Sequence, residues 1–140
     1  MATIDLSQLS SSPILSTDDS FVGRLNITTS GEQQNPVVTG LPNGNFVVVW
    51  ADRAGNDGSE GGIFAQIYTS QFETVGAEFV VNSYTDYWQT RPEVSSTSSG
   101  DFLVTWLRVT DTYRLNFSIK VVHRSVSNLI CGPVGTTMQI

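Results

Sequence analysis

At 140 residues, the chain is one domain's worth of polypeptide, enough for a single core and too short for two ordinary ones. Charged residues make up only 14% and hydrophobic ones 39%, against a usual charged share of roughly 25%. This is not the low-hydrophobicity, highly charged profile of a disordered chain. The net charge of −6 argues against a phosphate-tracking nucleic-acid surface, and no apolar run approaches the ~20 residues of a membrane-spanning helix.

In chain order, residues 1–21 read as an N-terminal tail. They lack the basic n-region and long apolar h-region of a conventional signal peptide. The expectation is a cytoplasmic chain or one exported by a route that reads another signal. Val22 to Asn26 reads as a closing strand segment. Pro36 to Leu41 is a short β-branched run ended by the turn signal Pro42-Asn43-Gly44. Phe46 to Trp50 is five apolar residues without alternation, which predicts a strand covered on both faces. Asp52 to Gly62 is a glycine-rich loop, followed by strands at Ile63 to Tyr68 and Gly76 to Asn82. The second half predicts strands at Val94 to Thr97, Phe102 to Leu107, Leu115 to Val122 and Val134 to Ile140. No sustained helical periodicity occurs.

Repetition organises these elements. Asn26, Gln33, Pro36, Val38, Gly44, Phe46, Val48, Trp50 and Ile63 have identical residues 56 positions later, at Asn82, Gln89, Pro92, Val94, Gly100, Phe102, Val104, Trp106 and Ile119. This register predicts no gap between the two copies. A third, partial copy is marked by Val134-Gly135, 59 positions after Val75-Gly76. Residues 22–82 are thus the closing strand plus the first β repeat, and 83–140 the second. The fold expectation is all-β, with two four-stranded propeller-like blades forming an incomplete propeller. A β-solenoid and a two-sheet sandwich are the alternatives. In the propeller reading, Phe46, Val48 and Trp50 face one neighbouring blade, and Val47 and Val49 face the other. Both ends cut through repeats, so partners are expected: further repeats of a longer chain or copies of this one.

The pattern Asn-x6-Gln-x2-Pro-x-Val, then Gly-x-Phe-Val-Val-x-Trp, then Val-Gly-x-Glu-Phe-x-Val-Asn resembles the tandem repeats of large bacterial extracellular proteins. These are the calcium-binding, repeats-in-toxin and cadherin-containing adhesins. The first copy matches at Asn26, Gln33, Pro36, Leu41, Gly44, Phe46, Trp50, Gly76, Glu78, Phe79 and Asn82. The second departs from it, with Thr97 in the place of Leu41 and Thr137 in that of Glu78. The resemblance implies an extracellular or cell-surface module, exported without an N-terminal signal peptide. It implies no catalytic activity and names no ligand.

Two groups of residues are candidate sites. In the loop after the second strand, Asp52, Asn56, Asp57 and Glu60 supply the hard oxygens that calcium takes. A plain solvated hairpin loop uses the same residue types and is the alternative. Tyr84, Tyr87, Trp88 and Gln89 form an aromatic-amide cluster in a loop between repeats, a composition suited to glycan binding, or else to plugging the inter-repeat seam. Trp50 and Trp106 recur and read as packing residues, whereas Trp88 does not recur. The Asn26/Gln33 and Asn82/Gln89 pairs read as ties between side chains and turn backbone. His123 and the lone Cys131 read as a strand residue and a small apolar residue, with no nucleophile–base pair. The expected function is therefore a non-catalytic, extracellular β-repeat module with a structural or recognition role. A small lectin assembling from two-blade chains is the runner-up. A sialidase-type fragment, suggested by Ser99, Asp101, Thr105 and Trp106, ranks below both because Leu103 stands where that turn needs glycine.

Overall fold

The computed structural model describes residues 14–15, 21–110, 115–122 and 138–139. His123 and Cys131 lie outside these residues. Among the described residues the protein is all-β and contains no helix. A minor pair, β1 (Ile14–Leu15) and β2 (Phe21–Val22), precedes two antiparallel sheets. The first is a meander of β3 (Gln33–Gly40), β4 (Phe46–Asp52), β5 (Gly62–Tyr68) and β6 (Thr74–Val80), ordered β3-β4-β5-β6. The second consists of three long strands, β7 (Trp88–Ser96), β8 (Phe102–Val109) and β9 (Leu115–Val122). The two-residue β10 (Met138–Gln139) pairs with β9 at the outer edge. Neither sheet closes on itself.

The repeat is a structural one. The β3–β4 turn is held by Gly44 N–H donating to Leu41 O (3.0 Å) and Leu41 N–H to Asn45 O (2.7 Å). Its copy between β7 and β8 has Gly100 N–H on Thr97 O (3.2 Å) and Thr97 N–H on Asp101 O (2.9 Å). Gly44 and Gly100 sit at φ 86° and 93°, which only glycine adopts without strain. Both first strands carry a bulge, between Gln34 and Val37 and between Thr90 and Glu93. Pro36 and Pro92 fall inside these bulges, where a missing N–H is tolerated. The bulges also extend the strands backwards. Trp88 and Gln89, expected in a loop, are instead the first residues of β7.

The register differs from the expected gapless one. Trp50 pairs with Phe64, whereas Trp106 pairs with Ser118. The strand after the β8–β9 connection is therefore offset by 54 residues rather than 56, and Ile63 corresponds to Phe117, not Ile119. The shorter connection removes two residues, and a short insertion before β10 restores the order. Met138 pairs with Ile119 as Phe79 pairs with Ala65.

Both faces of the central strands β4 and β5 are buried, as the unbroken apolar run of β4 requires, while the edge strands β3 and β6 stay partly exposed. One face presents Val47, Val49 and Ala51 with Ile63, Ala65 and Ile67, and it packs against Phe102, Val104 and Trp106 of β8. The other presents Val48, Trp50, Phe64 and Tyr68, with Leu25 packed on it. Phe102, Val104 and Trp106 are the repeat copies of Phe46, Val48 and Trp50. The two sheets therefore meet through unlike faces. Val81, which copies Leu25, packs on the Trp106 face just as Leu25 packs on the Trp50 face.

Candidate functional site

The Asn and Gln residues that recur with the repeat tie its connecting turns. Asn26 Nδ2 donates to Thr28 O (2.6 Å) and Gln33 Nε2 to Ser30 O (2.8 Å). In the second copy Asn82 Nδ2 donates to Tyr84 O (3.0 Å) and Gln89 Nε2 to Asp86 O (2.9 Å). Asn82 does more. Its Oδ1 accepts the Ile63 N–H at 2.7 Å, a ladder donor that β6, ending at Val80, no longer reaches.

The loop between β4 and β5 is folded by its own carboxylates. Asp52 is buried. Its Oδ1 accepts Ala54 N–H (2.7 Å), and its Oδ2 accepts Asn56 Nδ2 (2.8 Å) and Gln33 Nε2 (3.3 Å). Asp57 folds back on β5, accepting Ser59 N–H (3.2 Å) and Asn82 Nδ2 (2.9 Å). It lies so close to Gly62 that a Cβ there would be 2.7 Å from Asp57 Oδ2. Asn56 Oδ1 accepts the Ser30 hydroxyl (3.2 Å). Of the four residues read as calcium ligands, three thus serve as hydrogen-bonding partners inside the loop and to its neighbours. Glu60 stands apart, exposed. Among the described residues no three carboxylate, His or Cys groups gather as a ligand set.

The aromatic cluster is likewise divided. Trp88 is 44% exposed, with the Arg53 guanidinium 4.1 Å over its ring, a cation–π contact worth about 0.5–1 kcal/mol at such a site. Tyr84 carries Arg108 at 4.7 Å. A hydrogen bond to Asp86, and then burial, holds the Tyr84 hydroxyl above its ordinary pKa. Tyr87 takes a left-handed φ of 67°. Only Trp88 and Gln89 of the four face the feature that organises this end of the molecule, a cleft of about 370 Å³ between the sheets.

The cleft joins the two candidate groups that the sequence kept apart. The first sheet contributes Gln34, Asn35 and Asp52, the β4–β5 loop Arg53, Glu60 and Gly61, and the second sheet Trp88, Gln89, Thr90 and Arg91. Asn35 and Arg91 are bulge residues 56 positions apart with φ of 51° and 50°. Asparagine tolerates that conformation, whereas for arginine it is an uncommon one. Sequence reading passed over Asn35, Arg53 and Arg91. The recurrent Pro36 and Pro92 that follow the two bulge residues were the available signal. Gln89 is buried, and its Oε1 has no hydrogen-bond partner; neither does the Nε of Arg108, directly across the ladder.

Lys120 was also missed. It occupies the place of the buried Gln66 in the second sheet, and its Nζ donates to Val81 O (2.7 Å) and Ser83 Oγ (3.3 Å). The cation is thereby solvated by the segment that links the two sheets. No family model matches the chain, nor does any curated protein or solved structure.

Proposed function

We propose that the chain is a non-catalytic, extracellular β-repeat module of the adhesin-like kind, in which each sheet is one propeller-like blade of a stack and recognition takes place where blades meet. The observation that carries this reading is the packing of unlike faces. A sandwich of two equivalent sheets related by a two-fold axis would bury the same face of each. Here the Val47 face of the first sheet meets the Trp106 face of the second. Such a heterologous contact is not self-limiting: it repeats until a ring closes or an open array forms.

The second sheet carries the face that would continue the stack. Leu103, Leu107, Phe117, Ile119 and Val121 stand where the first sheet has its Val47 face, and Phe117 is 64% exposed. Partners are accordingly further repeats of the same kind, from a longer chain or from other copies. Light scattering over a range of concentrations, with and without calcium, tests this. The expected result is association that Phe117→Asp abolishes without unfolding the chain. A stably folded chain that stays monomeric at every concentration refutes the stacked-blade reading.

A further inference from the structure

We infer that the cleft between the β4–β5 loop and the start of β7 binds a neutral, polyhydroxylated ligand, the terminal pyranose of a glycan. This deepens the recognition reading above, but the cleft itself needs only the two sheets described. At about 370 Å³, it lies at the lower end of the roughly 300–1,000 Å³ of ligand pockets. That is room for one or two sugar rings.

The lining decides the ligand class. Two guanidiniums, Arg53 and Arg91, are balanced by two carboxylates, Asp52 and Glu60. The lining therefore has no net formal charge, and Arg53 is in addition ion-paired with Glu32 at 3.7 Å, so nothing in the wall favours a phosphate or a carboxylate. It offers instead donors and acceptors side by side, which is what a ring of hydroxyls, each both donor and acceptor, can satisfy. Asp52 is engaged within the loop, whereas Glu60 and Arg91 are exposed residues of the lining whose side chains make no hydrogen bond or ion pair among the described residues. Gln89 also belongs to the lining, but its Oε1 is buried away from solvent, so the accessible polar groups are those of the exposed Arg53, Glu60 and Arg91.

Trp88 supplies the apolar element. Arg53 covers one face of the indole at 4.1 Å, and with 44% of the residue exposed the rest of the ring is left as a surface for the C–H groups of a pyranose. The groups also sit on ordered backbone. Trp88, Gln89 and Arg91 belong to β7, and Asn35 to the bulge of β3. The backbone of this side of the cleft is thus preformed, and the ordering that accompanies binding falls on the exposed side chains of Arg53, Glu60 and Arg91. Tyr84 and Tyr87 lie outside the cleft lining.

The test is a two-dimensional NMR titration of the whole chain with glucose, galactose, mannose and N-acetylglucosamine, and with glucuronate as the charged control. The expected result is that one or more of the neutral sugars shifts the Trp88 indole and the Arg53 and Arg91 side-chain signals. Arg91→Ala and Glu60→Ala should each weaken that binding about tenfold or more, the loss expected for one charge-assisted hydrogen bond. Glu60→Gln, which keeps an acceptor, should recover part of it, with thermal unfolding unchanged in all three. Three outcomes overturn the inference: no shift with any neutral sugar, shifts confined to Tyr84 and Tyr87, or binding of glucuronate alone. A chain that stays monomeric yet shows the cleft shifts refutes the stack and keeps the cleft. One that associates without them does the reverse.

Discussion

Asn82 is the side chain on which the join between the sheets most depends. It is 5% exposed. It accepts the Ile63 N–H at 2.7 Å and donates to Asp57 Oδ2 at 2.9 Å and Tyr84 O at 3.0 Å. Replacing it with alanine leaves the N–H of fully buried Ile63 without a partner, at a cost of about 1–3 kcal/mol. Two further bonds are lost, one of them to a carboxylate, but Asp57 and Tyr84 can recover water. We expect a total loss of about 2–4 kcal/mol, equivalent to a fall in Tm of about 7–14 °C for a chain of this length. Asn82→Asp keeps the acceptor for Ile63 but sets a second carboxylate against Asp57. Mutual repulsion and burial then raise the folded-state pKa of the pair above the unfolded value of about 4. The folded state holds a proton that the unfolded state has released, so the penalty is full at neutral pH and shrinks as pH falls through the raised pKa. Urea unfolding followed by the fluorescence of buried Trp50 and Trp106 measures both variants. A loss under about 0.5 kcal/mol for alanine, or the same loss for Asn82→Asp at about pH 5 and about pH 8, would refute the reasoning.

Three other outcomes follow from the same geometry. Phe102 is fully buried between the sheets, so Phe102→Ala should cost about 3–5 kcal/mol; exposed Phe117→Ala should stay within about 0.5 kcal/mol in the same urea assay at low concentration. Tyr68 donates its hydroxyl to Leu25 O, and burial and then the charge of Glu78 push its pKa up to about 12. Between the ordinary value of about 10 and this raised one, the folded state keeps a proton that the unfolded state loses. Stability therefore falls as pH rises through that window, and Tyr68→Phe should flatten the slope. Finally, calcium at about 5 mM, above the weakest extracellular sites, should leave Tm unchanged, because Asp52 and Asp57 already accept amide donors on both oxygens. A rise of several degrees would place the ion in that loop.

The features legible in the sequence are those written locally. Gly44 and Gly100 mark turns because only glycine sits easily at those φ values. Phe46 to Trp50 declares a strand covered on both sides because an apolar run without alternation leaves no face for water. The Asn26/Gln33 and Asn82/Gln89 ties were visible because side-chain to backbone bonds in turns span a fixed few residues.

What tertiary structure alone decided are the relations between stretches distant along the chain. The two-residue shift of β9 was hidden because Ile63 and Ile119 coincide in the 56-residue count, although sheet pairing matches Ile63 with Phe117. Which face meets which could not be read either, because both faces of β4 are apolar and either would bury well. The packing of Val47 and Val49 on Phe102 and Val104 settles it. The cleft was the least legible feature. The Asp52–Gly62 loop and Trp88 each suggested a site of its own, and nothing in either stretch specifies that the other lies across from it. They meet because unlike-face packing sets β7 beside the first sheet, where Arg53 reaches the Trp88 ring. A contact of that kind depends on how two finished sheets stack, and stacking is a property of surfaces that exist only once both sheets have formed.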